Sequence, residues 1–148
     1  MQKIVFIGGP ITGLTVNKEF DASFKELLLS AIGIFEKNGY YVRSAHVEER
    51  FGQGRIDTDN NIVKRDTNWI DEADICIFLF PVDKKGIPVR TDGTCIELGY
   101  AACKSKRNII FWSVKDKLKY SPMFRGMKEK NVEFYDISQI KDVLENIE

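Results

Sequence analysis

One histidine and three cysteines in 148 residues leave little for metal chemistry. Cys76, Cys95 and Cys103 form no Cys-x-x-Cys pair, and His46 stands alone, so no metal centre or cofactor is expected. Three cysteines without a pairing pattern read as buried thiols of a reducing compartment, and a cytoplasmic location is the expectation. An excess of either charge is also missing. Lys plus Arg and Asp plus Glu stand at 22 each, with no cluster of basic residues interleaved with aromatics, which argues against a nucleic-acid polymer as partner. No run approaches the roughly 20 apolar residues that a membrane span requires. A strand starts almost at the first residue, so no secretory leader is expected. The length suits one domain over residues 1–148 with one core.

What the chain does have is alternation. Lys3-Ile4-Val5-Phe6-Ile7 reads as a buried strand ended by Gly8-Gly9-Pro10. Phe20, Phe24, Leu27, Leu28, Ala31, Ile34 and Phe35 recur at helical spacing over 20–38, and Gly39 can close that helix. Residues 40–46 read as a second strand, 48–58 as a polar loop, and 60–72 as a helix. The unbroken apolar run Ile75-Cys76-Ile77-Phe78-Leu79-Phe80 is typical of a central strand covered on both faces. A loop over 81–92 leads to a helix at 94–105, then a strand at 108–112. Residues 113–131 are irregular, with a short helix after Pro122, and 132–135 form a fifth strand. Ser138 caps a last helix that turns Ile140, Val143, Leu144 and Ile147 inward. This order predicts a single-domain three-layer α/β sandwich of flavodoxin or Rossmann type. Its five-stranded, mostly parallel sheet carries helices on both faces. Ligands of such sheets bind beyond the carboxyl ends of the strands, where 8–13, 46–54 and 81–97 fall.

Within those segments, Glu97 draws attention first. It follows Thr91-Asp92-Gly93-Thr94 and is expected in the first turn of a helix, whose N-terminal partial charge favours an ionised carboxylate. An ionised carboxylate there can attack an electrophilic sugar carbon. In the first loop, Gly9, Pro10, Ile11 and Thr12 offer backbone N–H groups, and Thr12 or Thr15 a hydroxyl. The loop lacks both the Gly-Lys-Ser/Thr of a P-loop and the third glycine of the dinucleotide fingerprint. Asp74, at the entry to a core strand, reads as a cap or turn residue. By pattern alone Asp66 belongs to a solvated helix face. His46, at the end of the second strand, is expected to point toward the site, although a lone histidine is commonly structural. Asp92 suits either an N-cap or a ligand contact.

Taken in order, these segments resemble the nucleoside 2-deoxyribosyltransferase superfamily, which includes the nucleoside 5'-monophosphate N-glycosidases. Gly9-Pro10-Ile11 resembles the transferases' first loop, and Ala45-His46-Val47 the end of the second strand in the monophosphate glycosidases. Arg65-Asp66-Thr67-Asn68-Trp69-Ile70 resembles the stretch with the family's catalytic aspartate, and Glu97-Leu98-Gly99-Tyr100-Ala101 the nucleophile motif. Ser121-Pro122-Met123-Phe124-Arg125-Gly126 resembles a segment that reaches into a neighbouring subunit's site. The resemblance implies that Glu97 forms a covalent glycosyl-enzyme with retention and that Asp66 assists at the sugar or in proton transfer. It implies substrate contacts from Gly9, Pro10, Ile11, Thr12, His46, Thr91, Asp92, Gly93, Ser121 and Met123. It also implies a homodimer or larger homo-oligomer with shared sites.

Three features divide the subfamilies, one of them Ser121, which stands in a segment where the transferases carry asparagine and the monophosphate glycosidases serine. Pro10 and Thr12 stand where monophosphate glycosidases carry serine and arginine. Thr91 stands where transferases carry aspartate, and a hydroxyl suits a phosphate. The leading expectation is cleavage of a (deoxy)nucleoside 5'-monophosphate to free base and sugar phosphate. Base exchange between deoxynucleosides is the alternative. A second alternative is a non-catalytic flavodoxin-like module, with Tyr40, Tyr41 or Trp69 stacking on FMN.

Overall fold

The computed structural model describes residues 2–54, 57–113, 117–127 and 131–146. Five strands form one wholly parallel sheet in the order β4-β1-β5-β6-β7: β4 Tyr41–Arg43, β1 Ile4–Gly8, β5 Ile75–Phe80, β6 Arg107–Trp112 and β7 Asn131–Phe134. Register aligns Ile7 with Ile77 and Ile77 with Ile109. Parallel neighbours require crossovers, which helices supply. These are α1 Ala22–Lys37, α3 Asp59–Glu72 and α4 Asp92–Cys103, and α6 Gln139–Glu145 follows the last strand.

The strand period of two sorts the core into two layers. Val5, Ile7, Ile75, Ile77, Leu79, Ile109 and Phe111 face α1 and α6, where Leu28, Phe35 and Ile140 are fully buried. Phe6, Cys76, Phe78, Phe80 and Ile110 face the other way, onto Ile70 of α3 and Leu98 and Ala101 of α4. Each large apolar side chain enclosed this way stabilises the fold by about 1.5–3 kcal/mol. This is the expected three-layer arrangement, and its second layer fastens the two helices that carry Asp66 and Glu97.

Several boundaries differ from the sequence reading. The second sheet strand stops at Arg43, and residues 45–48 form a single helical turn, α2 (Ala45–Glu48). A two-residue hairpin joins β2 (Thr15–Val16) to β3 (Glu19–Phe20). Its turn residues Asn17 and Lys18 have φ of 51° and 67°. Such a turn usually announces itself with glycine, which is missing here. Phe20 therefore belongs to the hairpin, and Asp21 caps α1 by accepting from the Phe24 N–H at 2.9 Å. Helix α4 starts at Asp92, two residues early, because Thr91 takes the N-cap. A short helix, α5 (Pro122–Arg125), follows Pro122 as expected. Of the three thiols only Cys76 is buried; Cys95 and Cys103 are exposed. Ile147 lies outside the described residues. No helix among the described residues is long and apolar enough to cross a membrane.

Candidate active site

Beyond the carboxyl ends of β1 and β5 lies a pocket of about 600 Å³. The first loop (residues 8–13) forms one wall, Ala45, Glu49 and Gly52 a second, Ile62 and Asp66 of α3 a third, and residues 90–94 with Glu97 the last. The pocket thus gathers Gly9, Pro10, Ile11, Thr12, Asp66, Thr91, Asp92, Gly93 and Glu97 from segments far apart in the chain.

Glu97 stands in the second turn of α4, not the first, because the helix starts early. Its carboxyl lies over the end of β1: a Cβ built on Gly8 would be 2.6 Å from Oε2. One side opens to the pocket and protein crowds the rest. Burial pushes the carboxyl up to about 8, the charges of Asp66 and Glu49 add to the rise, and Arg65 opposes it. The expectation of a carboxylate kept ionised by the helix terminus is therefore reversed. The helix dipole offers about 0.3–1 kcal/mol and fades within the first turn. A rise from 4.5 to about 8 corresponds to roughly 5 kcal/mol against ionisation.

Asp66 is 7% exposed and faces the pocket, where pattern alone had placed it on a solvated face. A fork from Arg65 holds it: Nε donates to Oδ1 at 2.8 Å and Nη2 to Oδ2 at 3.2 Å. Nη2 also donates to Glu49 Oε1 at 2.8 Å. Burial pushes the Asp66 carboxyl up, Arg65 pulls it down, and Glu49 pushes it up again, with a net rise. The guanidinium lies 4.9 Å from the ring centre of Trp69, which Arg43 also approaches at 5.5 Å. Sequence reasoning missed Arg65 and Glu49 as site residues. Adjacent helix positions rarely serve one site, so no spacing paired Arg65 with Asp66. Glu49 sat in a polar segment without periodicity.

At the start of α4, Thr91 makes no side-chain cap bond. Its Oγ1 is buried with no hydrogen-bond partner among the described residues. Thr94 is buried beside it, and the first N–H groups of a helix lack intrahelical acceptors. Asp92 instead points to solvent and pairs with Arg90 at 2.9 and 3.1 Å, which holds its carboxyl below the usual range.

Three expected site residues do not line the pocket. His46 is 1% exposed and sits behind the first loop, against Phe20 and Phe24. Its Nε2 is 3.2 Å from the Pro10 carbonyl oxygen, and burial pushes its imidazole down to about 4, so a neutral ring donates that bond. It fixes the loop from behind because the strand ends early and the chain turns it inward. Ser121 stands at the N-cap position of α5 without a side-chain capping bond, and Met123 is exposed; within one chain both stand apart from the pocket. Tyr40, Tyr41 and Trp69 are also absent from the lining, which removes the aromatic support for a flavin. Tyr40 packs on Phe35, and Tyr41 and Trp69 flank Arg43. The Thr15 hydroxyl donates to the Ile11 carbonyl at 2.8 Å, leaving Thr12 as the first-loop hydroxyl for a ligand.

Comparison with solved structures places this architecture. A CMP N-glycosidase from Clostridium botulinum, BcmB, superposes with a TM-score of 0.66 at 21% identity, over 99% of this chain and 100% of that one. BlsM gives 0.72 at 24% identity over 95% and 86%. A 2-deoxyribosyltransferase from Bacillus psychrosaccharolyticus gives 0.64 at 16% identity over 93% and 89%. The chain has the fold of the 2-deoxyribosyltransferase-like proteins. No sequence-family description matches it, and no curated protein matches it in sequence.

Proposed function

We propose that this chain is an enzyme that cleaves the N-glycosidic bond of a nucleoside 5'-monophosphate. The observation that carries the reading is the pair Glu97 and Asp66 in one pocket, each with its carboxyl pushed up by burial. A retaining cleavage needs one carboxylate to attack and one protonated carboxyl to assist the departing base. Burial raises both carboxyls, and the Arg65 fork opposes the rise on Asp66. The reactive form has Glu97 ionised and the proton on Asp66. Glu97 then attacks C1' as the C–N bond breaks, and Asp66 gives its proton to the base. Water next attacks C1', Asp66 takes up the water's proton, and sugar phosphate leaves with Glu97 free again. Gly8 leaves the space in which the attacking oxygen stands.

A 5'-phosphate suits the start of α4. The helix terminus favours an anion, and the Thr91 hydroxyl is a buried donor in need of a partner. The similarity to a CMP N-glycosidase supports hydrolysis. Pro10 in the first loop and the similarity to a 2-deoxyribosyltransferase favour base exchange as the second reading. Ser121 and the exposed Met123 are assigned to the edge of a neighbouring copy's site, in a homo-oligomer. Incubation with nucleosides and their monophosphates, with and without an acceptor base, tests the reading. Free sugar phosphate supports hydrolysis, a new nucleoside only with acceptor supports exchange, and no released base contradicts both.

A further inference from the structure

We propose that Glu49 selects the base, and that it favours bases with an amino group at the cytosine C4 or adenine C6 position over those with a carbonyl there. The inference rests on the N-glycosidase reading above and gives that reading a substrate class.

The placement follows from the sheet order β4-β1-β5. Glu97 lies over Gly8, at the end of the middle strand. The start of α4 follows β5 on one side, and Glu49 follows β4 on the other. In a β-nucleoside the 5' carbon and the base leave one face of the sugar at opposite sides of the ring oxygen. With the phosphate at Thr91 and C1' at Glu97, the base extends toward Ala45, Glu49, Gly52 and Ile62. All four line that end of the pocket.

The chemistry follows from how Glu49 is held. Its side chain is 14% exposed, and Oε1 accepts from Arg65. Oε2 carries no hydrogen bond among the described residues, and Glu49 lines the pocket. Arg65 cannot follow a moving Glu49, because the same guanidinium grips Asp66 twice and lies over Trp69. A fixed carboxylate only accepts hydrogen bonds. The 4-amino group of cytosine or the 6-amino group of adenine donates to it. The corresponding carbonyl of uracil or hypoxanthine sets lone pair against lone pair and strips water from both. Sites built around one buried hydrogen bond reject the analogue lacking it strongly, because the site's own group is left unpaired.

The test compares kcat/KM for CMP, AMP, UMP and IMP and their deoxy forms, with wild type and Glu49→Gln. Wild type is expected to prefer amino over carbonyl bases by at least about 100-fold. The glutamine keeps an oxygen for Arg65 and adds an N–H for a carbonyl base, so the preference should fall at least tenfold. Equal cleavage of both kinds by wild type overturns the inference, even if the variant does not fold. So does a preference that survives in a folded Glu49→Gln, as judged by its melting curve. Base release without discrimination removes this inference alone, whereas no base release from any substrate removes the N-glycosidase reading with it.

Discussion

The Glu97 carboxyl occupies the space that a side chain on Gly8 would need, with Oε2 2.6 Å from the ideal Cβ position. Strand end and helix are thus matched to each other. Gly8→Ala should displace the carboxyl while the buried strand remains in place. We expect kcat/KM for base release to fall at least about 100-fold, the usual consequence of a misplacement near 1 Å. The melting temperature should change by only a few degrees, as read by circular dichroism.

Glu97 also makes stability depend on pH in a definite direction. Its folded-state value of about 8 exceeds the ordinary 4.5, so the folded chain holds a proton that the unfolded chain has lost between those limits. The stability linked to this group is present below about pH 4.5 and is lost as pH rises through 8. Glu97→Gln cannot ionise. It should melt above wild type at pH 8.5, by an amount that shrinks toward pH 5, in paired calorimetric scans.

His46 acts in the opposite sense. Burial holds its folded value at about 4 against 6.5, so the unfolded chain binds the extra proton. Its contribution is full above about pH 6.5 and is lost as pH falls toward 4. His46→Ala should cost about 2–4 kcal/mol at pH 7, through the cavity beside Phe24 and the unpaired Pro10 carbonyl. Denaturant titrations at pH 7 and pH 5 check this, and the variant should lose less between them than wild type does.

Thr91→Val separates ligand binding from folding. The hydroxyl has no partner among the described residues, so replacing it with a methyl should leave the melting temperature unchanged or slightly higher. The preference for monophosphate over nucleoside should fall about tenfold, in line with one hydrogen bond to a charged group. Competition kinetics with a nucleoside and its monophosphate measure it.

The fold was legible because its signals are periodic. The apolar run of β5 and the helical spacing of α1 demand burial on definite faces, and alternation of elements then fixes a parallel sheet. Glu97 was legible through its motif, but its ionisation was not. Residues far away in sequence set that state: Gly8 under the carboxyl, and Asp66, Arg65 and Glu49 around it. His46 was misread because a strand ending three residues early changes which way every later side chain points. The β2–β3 hairpin escaped because Asn17 and Lys18 adopt left-handed backbone angles without glycine. Arg65 and Glu49 carried no spacing signal, since they meet only when the residue after α2 is folded against α3 at the pocket.

The central claim is that Glu97 attacks the sugar of a nucleoside 5'-monophosphate. The most direct measurement incubates wild type and Glu97→Gln with CMP, AMP and their deoxy forms, follows base release by chromatography, and acid-quenches samples for peptide mass analysis. Wild type should give base and sugar phosphate with a sugar-phosphate adduct on the Glu97 peptide, and release by the variant should be at least about 1,000-fold slower, on the order seen when a nucleophile is removed. Release by Glu97→Gln at the wild-type rate, or no release from any substrate by wild type, would contradict it.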